Sequence, residues 1–132
     1  MAMHATATFE IKKWDEHPYI ESDDGAKMTR AEIEYVYHGD IEGESIVQYL
    51  MAYRPGGAGT AIALERITGS VGGRAGSFVL QHTSTFAESG VTGTYEVVPG
   101  SGAGELRGIT GTGTLSVSGE GPYPFALDYD FA

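Results

Sequence analysis

Apolar and polar residues alternate with a period of two along almost the whole chain, and no segment sustains the three-or-four-residue spacing of an amphipathic helix. The pattern predicts a β protein. Ala5, Ala7, Phe9 and Ile11 oppose Thr6, Thr8, Glu10 and Lys12, which predicts a strand over about residues 4–14, ending at Trp14. The following Asp15-Glu16-His17-Pro18-Tyr19 reads as a loop, because the residue before a proline is driven out of helical geometry. After the Asp23-Asp24-Gly25 turn, Ala31, Ile33, Tyr35 and Tyr37 alternate with Arg30, Glu32 and Glu34 in a second strand over about 27–38. A third strand, about 41–54, sets Val47, Tyr49, Met51 and Tyr53 against Ile46, Gln48, Leu50 and Ala52. Further strands are predicted at about 60–70, 74–86, 90–99, 109–118 and 123–131, giving eight.

A sheet of this size has to protect its edges. The last strand carries Tyr123, Phe125, Leu127, Tyr129 and Phe131 on one face, so pairing it with the first strand closes the sheet rather than exposing an apolar edge. All the glycines except Gly25, Gly39 and Gly43 fall between residues 56 and 121, where they mark turns and bends inside strands, as closure demands. The chain has no asparagine, so glycine and aspartate must supply the left-handed backbone positions. The expected architecture is one all-β domain over 1–132, a closed or nearly closed eight-stranded antiparallel barrel. Both faces of the third strand are largely apolar, and the last strand is rich in apolar residues, which points to a homo-oligomer, most simply a dimer.

Composition narrows the chemistry. There is no cysteine, which excludes disulfides, thiolate nucleophiles and zinc–thiolate sites and fits a reducing compartment. The net charge of −10 disfavours nucleic acid and anionic lipid as partners. No secretory leader and no apolar run of membrane-spanning length is visible, so a cytoplasmic location is expected.

His4, His17, His38 and His82 are scattered without metal-ligand spacing, so neither a metal nor any cofactor is expected. No serine sits in a Gly-x-Ser-x-Gly turn, and the Pro99-Gly100-Ser101-Gly102-Ala103-Gly104 stretch reads as a simple connection rather than a phosphate cradle. The informative feature is polar residues inside apolar strands. If Phe78 and Leu80 point inward, parity carries His82 with them, while Ala61, Ala63, Glu65 and Ile67 form one alternating set on the neighbouring strand. Glu65 and His82 are therefore the candidate acid/base pair, with Gln81, Tyr49 and Tyr53 as candidates to orient a ligand. Arg66 is either a further ligand contact or a structural partner of Glu65. Trp14 is expected over one end of the barrel, as a packed plug or as a lid on a ligand mouth.

Six ordered motifs carry a resemblance: Trp14-Asp15-Glu16-His17-Pro18-Tyr19, Gly39-Asp40-Ile41-Glu42-Gly43-Glu44-Ser45, Tyr49-Leu50-Met51-Ala52-Tyr53, Leu64-Glu65-Arg66-Ile67-Thr68-Gly69, Gly76-Ser77-Phe78-Val79-Leu80-Gln81-His82 and Val98-Pro99-Gly100-Ser101-Gly102. Together they resemble a bacterial domain family of unknown function whose fold is similar to the allene oxide cyclase barrel, a calycin-like architecture. The resemblance implies the eight-stranded barrel and no established activity. Three functions follow as expectations: a cofactor-independent isomerase or cyclase acting on a small hydrophobic molecule in the barrel, a non-catalytic barrel binding such a molecule, or an oligomeric protein with a packed interior.

Overall fold

The computed structural model describes residues 2–132. It contains β1 (Met3–Glu21), β2 (Lys27–Gly39), β3 (Ile41–Tyr53), β4 (Gly59–Val71), β5 (Arg74–Ala87), β6 (Gly90–Val97), β7 (Ala103–Gly104), β8 (Ile109–Val117) and β9 (Tyr123–Phe131). Every pairing is antiparallel, and the order β4-β3-β2-β1-β9-β8-β6-β5 is closed by a β4–β5 pairing into an eight-stranded ring. The last strand closes on the first as its apolar face requires, with Met3 opposite Tyr129 and Phe9 opposite Tyr123. No helix among the described residues is long and apolar enough to cross a membrane.

Alternation assigns one face of each strand to the interior. Val47 and Met51 are buried on β3 while Ile46 and Leu50 face out, and Ala61, Ala63, Glu65 and Ile67 on β4 are all buried. On β9 Phe125, Leu127 and Tyr129 are buried and Tyr123 and Phe131 partly so, and exposed large apolar residues lie on β3 and β4 and not on the last strand. Every positive-φ residue described is a glycine, and aspartate supplies none. Gly43 and Gly69 face each other across β3 and β4, and a Cβ on Gly43 would lie 2.2 Å from the Thr68 carbonyl oxygen, so the two strands approach more closely there than any side chain permits.

Two expectations are corrected. The segment 15–19 is not a loop: β1 runs unbroken to Glu21, pairing with β2 through two register shifts, at Ile11/Lys13 and Pro18/Ile20. Proline is tolerated because β9 leaves β1 after Phe9, so residues 10–21 have β2 on one side and an open edge on the other. The connection after β6 is also more than a tether. Ala103 and Gly104 add a short ninth strand outside the ring, against Ser77 and Gly76, and Leu106 joins the buried cluster with Ile41, Val71, Val97 and Ile109. These residues fill one end of the barrel, and the other end, under the β1 overhang, stays open.

Candidate functional site

Glu65 and His82 enter the barrel from adjacent strands, and the β4–β5 register makes them diagonal neighbours, with Glu65 opposite Leu80 and Ala63 opposite His82. His82 Nε2 lies 2.7 Å from Glu65 Oε1. The other carboxylate oxygen, Oε2, accepts a bond from the Tyr37 hydroxyl on β2 and one from the Ser45 hydroxyl on β3, both at 2.5 Å. Glu65 is completely buried and His82 is 7% exposed. Hydrogen bonding to a carboxylate oxygen puts a proton on Nε2; Nδ1 then accepts in the neutral ring and donates in the imidazolium. Among the described residues Nδ1 has no partner. No buried side-chain nitrogen or oxygen among the described residues lacks a partner, so Nδ1 must keep accessible surface, and parity places it inside the barrel. The ring sits between Tyr49 and Tyr95, at centroid distances of 6.3 and 5.5 Å.

Toward the open end the interior widens into a cavity of about 460 Å³. Its walls are mostly apolar and aromatic, built from Phe9, Trp14, Tyr35, Met51, Phe86, Leu115 and Tyr123, with Tyr49, Tyr53 and Ser84 supplying hydroxyls. Tyr35 and Tyr49 share a hydrogen bond at 3.2 Å, whereas the Ser84 hydroxyl, on the strand face of His82 and two residues nearer the mouth, has no partner among the described residues. At the rim, Glu16 accepts bonds from Tyr53 (2.5 Å), Thr29 (2.7 Å) and the Trp14 indole (3.0 Å), tying the β1 overhang to β2 and β3. Trp14 is therefore half-exposed at the mouth and not a packed plug.

Electrostatics follow this layering. Burial pushes the Tyr37 and Tyr35 hydroxyls well above the usual phenol range, and the Glu65 charge adds to it. Burial likewise takes Tyr49 to about 12, against the opposing bond from Tyr35, and Tyr53 to about 12 with help from Glu16. At Glu16, burial pushes the carboxyl up, but the three hydrogen bonds and nearby Lys27 outweigh it and hold the group below its usual value.

Among the residues singled out from the sequence, Glu65 and His82 meet, and Tyr49 and Tyr53 line the cavity. Gln81 and Arg66 do not join them. Each is adjacent in sequence to a site residue and so faces outward, Arg66 toward Ser77 Oγ at 3.3 Å. Sequence reasoning missed Tyr37, Ser45, Ser84 and Glu16. The first two lie in inward-facing alternation sets that the sequence shows, while Glu16 falls within the segment misread as a loop. Among the described residues no group of three or more His, Asp or Glu side chains could hold a metal.

No curated protein matches the chain. A crystal structure of a protein of unknown function from the DUF3224 family of Shewanella oneidensis MR-1 superimposes with a TM-score of 0.78 at 29% identity, covering 100% of this chain and 99% of that one. The family profile described as "Protein of unknown function (DUF3224)" matches residues 5–129. A match over nearly the whole barrel, together with a relative of the same fold and family, places this chain in the DUF3224 family of proteins of unknown function.

Proposed function

We propose that this protein binds a small, mostly apolar molecule in the open end of its barrel. The observation that carries the reading is the cavity itself: about 460 Å³, walled by aromatic and aliphatic side chains, and within the range of small-molecule sites. A barrel of eight strands is narrow enough for its own side chains to fill, and that volume argues against the purely packed alternative. In the test, a neutral apolar fluorophore such as N-phenyl-1-naphthylamine is titrated into the protein and into Leu115→Trp, which places an indole in the cavity. Saturable binding lost in the variant, with its melt unchanged, is the expected result. Equal signal from both proteins would locate binding elsewhere.

A second reading, a cofactor-independent isomerase or cyclase, is favoured by the Glu65–His82 pair. Burying a carboxylate costs several kcal/mol, and well-packed apolar residues of similar volume often stabilise a fold as well as a buried polar cluster does. Stability alone therefore gives little reason for the Glu65–His82–Tyr37–Ser45 network. In this reading His82 Nδ1 takes a proton from the substrate and returns it to another atom, while Glu65 holds the tautomer and stabilises the imidazolium. Deuterium uptake from heavy water into a bound ligand, abolished by His82→Gln, is the expected signature. Exchange that persists in the variant would remove His82 from the chemistry.

A further inference from the structure

Among the described residues, seven of the eight seams between neighbouring ring strands are paired as far as the open end. There Tyr53 lies opposite Gly59, Ala87 opposite Gly90, Val91 opposite Val117 and Phe9 opposite Tyr123. The β8–β9 seam differs. Its pairing stops at Thr112 opposite Asp128, although β8 continues to Val117 and β9 begins at Tyr123. The same register would set Thr114 against Ala126 and Ser116 against Pro124, and a proline has no N–H to give to a ladder. In place of the missing Thr114–Ala126 pair stands the hydroxyl of Tyr95, a buried side chain of β6. It accepts the Ala126 N–H at 3.3 Å and donates to the Ala126 carbonyl, with the Thr114 carbonyl at 3.4 Å as a second acceptor in reach. Gly113 lets the ring cross, because a Cβ there would collide with the ring and with the Ala126 carbonyl oxygen.

The slit leads into the cavity. Leu115, Val117 and Tyr123 flank it on the inner side and line the cavity, while an outer groove of about 520 Å³ reaches Tyr95, Gly113 and Thr114. Parting any other two strands at the mouth breaks ladder bonds, whereas parting β8 from β9 costs the bonds of one hydroxyl, which water can replace. We propose that the ligand enters the cavity by the parting of β8 from β9, with the Tyr95 hydroxyl as the latch that closes the seam. This rests on the binding reading above.

Stopped-flow mixing with N-phenyl-1-naphthylamine tests the route. Tyr95→Phe keeps the ring and deletes the latch, so association and dissociation are both expected to quicken about tenfold while Kd changes by less than about twofold, because a gate alters the path and not the bound state. Amide exchange in this variant is expected to quicken at Ala126 and not across the β4–β5 pairing; equal quickening in both would make Tyr95 a general structural support and overturn its role as latch. The chain has no cysteine, so Ser116→Cys and Pro124→Cys, both at exposed positions, can be bridged across the seam with bismaleimidoethane. The bridged protein is expected to bind and release the fluorophore at least about tenfold more slowly than the same variant with its thiols capped by N-ethylmaleimide. Rates indifferent to the bridge would overturn the proposal, whether or not Tyr95→Phe folds, and leave the binding reading intact. Absence of fluorophore binding by the unaltered protein would instead overturn the binding reading, and the gate with it.

Discussion

Glu65 is the residue on which the interior turns. Its carboxylate has three donors from three strands and no contact with solvent, so removing one donor leaves a buried acceptor short. Tyr37→Phe is expected to lower stability by about 1–3 kcal/mol in denaturant unfolding, and an unchanged midpoint would mean that the network bears no structural weight. The buried phenols add a pH dependence. Their folded-state values lie above the ordinary 10.0, with Tyr49 reaching about 12, so the stability they contribute is complete below pH 10 and is lost as pH rises toward 12. Tyrosinate absorbance at 295 nm and circular dichroism are expected to change together across that window. Ionisation of most tyrosines before any loss of structure would contradict their burial. The meeting of Glu65 and His82 was legible in the sequence because both lie in alternating apolar sets on consecutive strands, where parity alone decides the face. Tyr37 and Ser45 belong to inward sets as well, but their arrival at the same carboxylate depends on register across β2, β3 and β4, which no local pattern encodes.

At the scale of elements, the eight ring strands and their closure could be read from alternation and glycine placement, whereas the β1 overhang could not. Pro18 signalled a break because a proline in a fully paired strand removes a ladder bond, yet residues 10–21 have an open edge where that loss is tolerated. The overhang is fastened to its neighbours through Glu16. Glu16→Ala is expected to speed amide hydrogen exchange over residues 10–21 while leaving 7–9, held between β2 and β9, unchanged; exchange over 10–21 no faster than in the unaltered protein would show that the clamp is dispensable. Because the folded carboxyl lies below its usual value of 4.5, the clamp's contribution is present above that pH and is lost as pH falls through the lower folded value.

For the whole molecule, the outer face of β3 and β4 is the feature left without a partner. Ile46, Leu50, Ile62 and Leu64 are 45–55% exposed, and register sets Leu50 beside Ile62 and Gln48 beside Leu64, with Arg30 and Glu32 of β2 alongside in successive rows. A two-fold axis running across the strands between those rows would bring Leu64 of one copy to Ile62 of the other and Glu32 to Arg30, which rests over the Tyr19 ring and has no carboxylate partner among the described residues. Light scattering is expected to report twice 14.0 kDa and to fall to 14.0 kDa for Leu64→Glu. A single 14.0 kDa species at about 50 μM, a concentration at which a dimer of micromolar affinity is mostly associated, would leave that face unpaired.

The central claim concerns the inside of the barrel, where the Glu65–His82 pair sits beside a cavity that takes a small, mostly apolar molecule. Nitrogen-15 NMR of the histidine side chains measures it most directly. The account requires a proton on His82 Nε2 shared with Glu65, and His82 ring resonances that move when N-phenyl-1-naphthylamine is added, because the ring packs against Tyr49 of the cavity wall. An Nε2 without a proton, or His82 resonances indifferent to a ligand that binds, would contradict it.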